Sequence, residues 1–177
     1  MSCVLENFKR TLCKTYMRSL KLNKLALNYI LIIIIFFLDR FTKIYILKKT
    51  EENESSIVFL SEYLNLQLVW NKGIAFGLLS IDENLYYNLI TLFIFIVIII
   101  LIYFANKCEG FEKISYILII SGALGNVFDR IYYNAVPDFI DLHINDFHWF
   151  IFNIADIFIS VGILCLIFVE IFFKKDL

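Results

Sequence analysis

The chain has 177 residues, is 60% hydrophobic and 18% aromatic, and carries a formal net charge of −1. With a mean hydropathy of +0.77, it is too rich in Ile, Leu and Phe for an ordinary soluble domain, and an integral membrane protein is expected. No basic stripe interleaved with aromatics is present, so nucleic acid is excluded as a partner.

The chain opens on a basic arm, residues 1–24, bearing Lys9, Arg10, Lys14, Arg18, Lys21 and Lys24. It lacks a small-residue cleavage site after an apolar core, so it is read as a cytoplasmic arm and not as a removable signal. Residues 25–177 then form one membrane domain with four predicted spans, at about 25–47, 85–105, 114–133 and 147–173. Each approaches the roughly 20 residues that cross a hydrocarbon core. The third is uncharged only from Ile114 to Phe128, which puts Asp129 and Arg130 close to the interface. The fold class expected is a mainly α, polytopic membrane protein of four transmembrane helices, with a small extracytoplasmic β-sheet after the first helix.

Lys and Arg set the orientation. The basic arm, the turn from Asn106 to Lys113, and Lys174 with Lys175 all fall on one side. Both termini are therefore expected in the cytoplasm, with the other two connections outside. The first of these, about residues 55–80, alternates Leu64, Leu66, Leu68 and Trp70 with Asn65, Gln67, Val69 and Asn71, which is the period of a strand. Ile57 to Leu60 can pair with it, and Asn71-Lys72-Gly73 marks a turn. Such a sheet either brings Asn71 to the charged helix ends or merely caps the helices.

Four cysteines without Cys-x-x-Cys spacing and two histidines, His143 and His148, without a ligand-spaced companion predict neither disulfides nor a metal site. The histidines are assigned a polar or interfacial role. No cofactor is expected.

Function is best signalled by the acids at the span ends, since a charge near hydrocarbon needs a partner or a task. Asp39 and Lys43 are four apart and can neutralise each other. Gly122, Gly125 and Asn126 form a small-residue face leading to Asp129 and Arg130, an adjacent acid and base expected to compensate each other. Asn153, Asp156 and Ser160 make a polar stripe on the last span. Asp138 and Asp156 are left without an evident cation. Two carboxyls held close cannot both ionise readily, so one keeps a proton while the other acts as base. Such a pair can activate water against an amide, which is aspartic proteolysis.

The strings Asp39-Arg-Phe-Thr-Lys43, Asn71-Lys-Gly-Ile-Ala-Phe-Gly77, Gly122-Ala-Leu-Gly-Asn-Val-Phe-Asp-Arg130, Val136-Pro-Asp-Phe-Ile140 and Phe152-Asn-Ile-Ala-Asp156 resemble, in order and spacing, the motif blocks of the lipoprotein signal peptidase (signal peptidase II) family. The resemblance implies a four-helix endopeptidase of the bacterial inner membrane that removes signal peptides from prolipoproteins, cutting before a diacylglyceryl-modified cysteine. It implies Asp138 and Asp156 as the catalytic pair and Asn71, Asn126, Arg130 and Asn153 as substrate-binding residues. Asp39, Lys43, Asp129, Gly73, Gly77 and Gly125 would be structural supports. Prolipoproteins and membrane lipids would be the partners, and a monomer is expected. Where family members often carry Trp-Pro, this chain reads Trp149-Phe150-Ile151, and Arg40 and Lys72 replace Gln and a smaller polar residue.

Two rivals come from other classes. A proton- or ion-coupled transporter would relay charge through Asp39, Asp129 and Asp156, but the uncharged second span argues against a path across the bilayer. A structural protein held by paired helix charges explains Asp39 with Lys43 and leaves Asp138 and Asp156 unexplained.

Overall fold

The computed structural model describes residues 2–53, 57–73, 83–145 and 147–173. Four helices, α1 (Ser2–Asn53), α2 (Glu83–Lys107), α3 (Gly110–Tyr133) and α4 (Ile154–Phe173), are joined by strands β1 (Ile57–Ser61), β2 (Leu64–Asn71), β3 (Val136–Ile144) and β4 (Phe147–Phe152). Of the described helices, α2, α3 and α4 are long and apolar enough to cross a membrane. In α1 the apolar stretch is broken by Asp39, Arg40 and Lys43, all buried.

The central helix is α3, which packs against α1, α2 and α4. Most of α3 is buried, whereas α2 and α4 are mostly exposed, so of these three helices it is α3 that protein encloses. Glycines let α4 lie against it. A Cβ at Gly122 would overlap the Ala155 carbonyl, and one at Gly162 would sit 2.8 Å from the Ser115 carbonyl oxygen. Large apolar side chains such as Ile33, Phe37, Phe41, Leu92, Phe93, Leu164 and Phe172 point outward, while Lys43, Asp129 and Asn153 are 0% exposed. This apolar-out, polar-in distribution is that of a chain whose surroundings are hydrocarbon.

The sheet is antiparallel throughout, in the order β1-β2-β3-β4. The expected pairing of the two strands after α1 is present, with Val58 opposite Leu66. Two features differ from the sequence reading. The second outer connection supplies two further strands, and the fourth helix begins at Ile154 because residues 147–152 are β4. An aromatic and apolar run such as Phe147–Phe152 reads equally as strand or span by hydropathy, and its ring-rich composition suits a pleated surface. Likewise, the alternation along β2 does not become one buried face, since its register against β3 shifts between Leu66 and Val69.

Candidate active site

The hairpin of β3 and β4 carries the chain from Asp138 on one strand to Asn153, the residue that opens α4. Asn153 and Asp156 form a reciprocal cap. The Asn153 Oδ1 accepts the Asp156 N–H at 3.1 Å, and the Asp156 Oδ2 accepts the Asn153 N–H at 3.0 Å. This is a capping box in which the third helical residue is Asp instead of Glu or Gln. The local rule that starts the helix therefore also aims the carboxyl.

Asn153 is fully buried, and its amide Nδ2 donates to Asp138 Oδ1 at 2.6 Å and to Asn126 Oδ1 at 3.1 Å. Asn126 in turn donates from Nδ2 to Asp156 Oδ1 at 2.8 Å. The two carboxyls are thus held in one network through two asparagines. Asp138 Oδ2 receives a further bond from Asn71 Nδ2 at 2.9 Å, while Asn71 Oδ1 takes the Gly73 N–H at 2.7 Å. Gly73 sits at φ +74°, a left-handed conformation that glycine adopts without strain. The turn so fixes which end of the Asn71 amide faces Asp138.

Beneath the two acids lies a compact ion cluster. Lys43 Nζ uses its three donors on Asp39 Oδ2 (2.9 Å), Asn126 Oδ1 (3.0 Å) and Asp129 Oδ2 (2.6 Å). Arg40 pairs with Asp39 at 3.3 Å and with Asp129, and its guanidinium lies over the Phe128 ring. Two cations thus meet two carboxylates. Asp39 Oδ1 also accepts the Ala155 N–H at 3.1 Å, satisfying another free donor in the first turn of α4. Gly125 permits this approach, since a Cβ there would lie 2.7 Å from Asp39 Oδ2.

The ion pair expected between Asp39 and Lys43 is present. Asp129 and Arg130, expected to compensate each other, do not pair: Asp129 turns to Lys43 and Arg40, whereas Arg130 donates from its guanidinium to the Asn126 carbonyl at 3.3 Å. Consecutive helical residues point in directions about 100° apart, so neighbours in sequence do not share a face. Asn71, Asn126 and Asn153 direct amide groups at the acids, and the Arg130 Nε is buried without a hydrogen-bond partner among the described residues. Gly77 lies outside the described residues. Missed altogether were Arg40 as a member of the cluster and Asp39 as a cap on α4, for which no local sequence signal exists. The capping box was also missed, Asn153 and Asp156 being read as part of a polar stripe, although Asn-x-x-Asp is a local signal for it.

The histidine reading needs correction. His143 and His148 are register partners on β3 and β4, and both bring a ring nitrogen to Asp141, which lies two residues before His143 on the same face. Strand pairing supplies the companions that linear spacing hides.

Burial pushes the Asp138 carboxyl above its ordinary value, the bonds from Asn71 and Asn153 oppose that rise, and the nearby charge of Asp156 adds to it. A carboxyl whose proton affinity burial raises, joined through asparagines to a second carboxyl, is an arrangement suited to moving protons at an amide.

Residues 31–173 match the family described as Signal peptidase (SPase) II. The chain belongs to that family. Its signal peptidase II relatives include the lipoprotein signal peptidase of Pelagibacter ubique (strain HTCC1062), 50% identical over 90% of this chain and 96% of the relative. That of Anaplasma phagocytophilum (strain HZ) is 39% identical over 85% and 95%. Two solved structures of a bacterial membrane enzyme, obtained by the in meso method at 1.9 and 2.3 Å resolution, superpose with TM-scores of 0.68 and 0.65. They are 32% and 31% identical to this chain and cover 85% of it, and 94% and 92% of their own chains are matched. As a signal peptidase II, the protein is a protease, and with its apolar helices it is a bacterial membrane protein.

Proposed function

We propose that this signal peptidase II removes signal peptides from prolipoproteins, cutting before a diacylglyceryl-modified cysteine, with Asp138 and Asp156 as the catalytic pair. The observation that carries this reading is the continuous hydrogen-bonded path from Asp138 through Asn153 and Asn126 to Asp156. Asp138, whose buried carboxyl favours its protonated form, acts as the acid and Asp156 as the base. Asp156 takes a proton from water as the water oxygen attacks the scissile carbonyl, and Asp138 protonates the carbonyl oxygen. Collapse of the tetrahedral diol returns a proton to Asp138, and Asp156 delivers its own to the leaving nitrogen. Each acid ends as it began.

Asn153 and Asn126 hold the acids in place, whereas Asn71, exposed at the end of β2, and Arg130, whose Nε has no hydrogen-bond partner among the described residues, are suited to the substrate backbone. The basic residues from Lys9 to Lys24 in the first part of α1 and the lysines flanking the α2–α3 turn support cytoplasmic termini with the sheet on the outer side. A lipid-anchored cysteine would then present its peptide bond at the depth where the acids lie.

Purified protein in detergent, incubated with a diacylglyceryl-modified prolipoprotein, should cut it before the modified cysteine. The Asp138→Asn and Asp156→Asn variants should remain folded and not cut. Cleavage by either variant at the parent rate would refute the pair.

A further inference from the structure

Asp141, His143 and His148 lie outside the network of the two acids, at the far end of the same hairpin. Asp141 is fully buried and His143 is 9% exposed, whereas His148 is half exposed. Their ligand atoms all fall within 4.8 Å of one another. His148 Nδ1 lies 2.8 Å from Asp141 Oδ2, and His143 Nδ1 lies 3.7 Å from the same oxygen. Those separations bracket the roughly 3.4 Å edge of a tetrahedral zinc site with bonds of about 2.0–2.1 Å. Moreover, His143 Nδ1 is buried with no hydrogen-bond partner among the described residues, and an orphaned interior nitrogen of this kind carries a cost that a ligand would relieve.

We infer that Asp141, His143 and His148 form a binding site for a first-row divalent cation of the zinc class. Two imidazoles and one carboxylate are the donor set that favours such a metal over Mg²⁺ or Ca²⁺, which take oxygen ligands. Register explains how the set arises. Asp141 and His143 are two apart on β3, so they share a face, and His148 is opposite His143 on β4, the rings stacking with centroids 5.1 Å apart. On binding, the ion takes the place of the hydrogen bond between His148 and Asp141, the His148 proton resides on Nε2, and water fills the remaining position at the exposed side. Because Asp141 is on β3 and His148 on β4, the ion clasps the two strands whose other ends bear Asp138 and Asn153. Its role is to hold the hairpin, and the hydrolysis assigned to Asp138 and Asp156 passes through none of these three groups.

The full-length protein, purified in detergent and stripped with a chelator, is titrated with Co²⁺ by visible absorption and with Zn²⁺ by calorimetry. One ion per chain should bind with micromolar or tighter affinity and raise the thermal unfolding temperature. His143→Phe, which keeps a ring against His148 and leaves the Asp141–His148 bond intact, should weaken binding at least about tenfold, since one of three protein ligands is lost. His148→Phe, at a half-exposed position where folding is undemanding, should do the same. Binding only at millimolar Co²⁺, or binding unchanged in both variants, overturns the site.

Discussion

Lys43 and Asp156 never touch, yet Asn126 joins them: Lys43 holds the amide oxygen at 3.0 Å, and the amide nitrogen is thereby turned to the Asp156 carboxyl at 2.8 Å. A fully buried ammonium on α1 so decides the orientation of an amide on α3 that addresses an acid on α4. Replacing Lys43 by Met leaves Asp39 and Asp129 with Arg40 as their one cation and the Asn126 amide oxygen held by Asn153 alone. Removing one partner from a buried ion cluster costs about 3–5 kcal/mol. Thermal unfolding in detergent should show a loss of this size, and the folded fraction that remains should have a depressed kcat. Unfolding unchanged from the parent would mean that the cluster carries no stability.

In the proposed mechanism, loss of either acid removes general acid–base assistance, worth about 10²–10⁴ in rate. Asp138→Asn and Asp156→Asn should each reduce single-turnover cleavage by at least that margin. The double variant should be scarcely slower than either single one, because the two act as a unit. Additive losses would show that the two carboxyls work independently.

The raised Asp138 value predicts the pH dependence of stability. In the folded protein this carboxyl binds its proton more firmly than the unfolded chain, whose reference value is 3.8. Its contribution is most favourable below that value and diminishes as pH rises through the folded one. Unfolding followed from pH 4 upward should therefore reveal a fall in stability over that window, which Asp138→Asn abolishes. A parent profile identical to that of Asp138→Asn contradicts the assignment.

Glycines on α3 and α4 separate packing from catalysis. Gly162→Ala places a methyl 2.8 Å from the Ser115 carbonyl and 2.6 Å from Ile119 Cγ1, an overpacking that costs about 1–3 kcal/mol. It lies two turns beyond the acids, so the folded protein should cleave normally. Gly125→Ala pushes on Asp39 and hence on the bond to Ala155, so it should lower kcat as well as stability. Equal kcat in the two variants would dismiss the link from Asp39 to α4.

Much of this arrangement was legible because its cues are local. Runs of Ile and Leu marked the spans, alternation marked β2, and the spacing of Gly122, Gly125 and Asn126 marked a close-packing face of α3. The ordered motif blocks marked Asp138 and Asp156. What stayed hidden depends on long-range pairing: β4 mimics the beginning of a span, Asp129 prefers Lys43, 86 positions away, to its neighbour Arg130, and His143 finds His148 only across a hairpin. Periodicity tells which residues share a face, but not which faces meet.

The acid of α4 is also part of the knot that starts α4, and that doubling limits how the junction can evolve. One residue inserted between Phe152 and Asp156 would rotate the carboxyl by about 100° about the helix axis, detaching it from Asn126 and from the Asn153 backbone together. Under the proposed mechanism, length polymorphism there is incompatible with turnover, whereas the hairpin tip at Asn145 is a site where the chain can lengthen while the junction keeps its register.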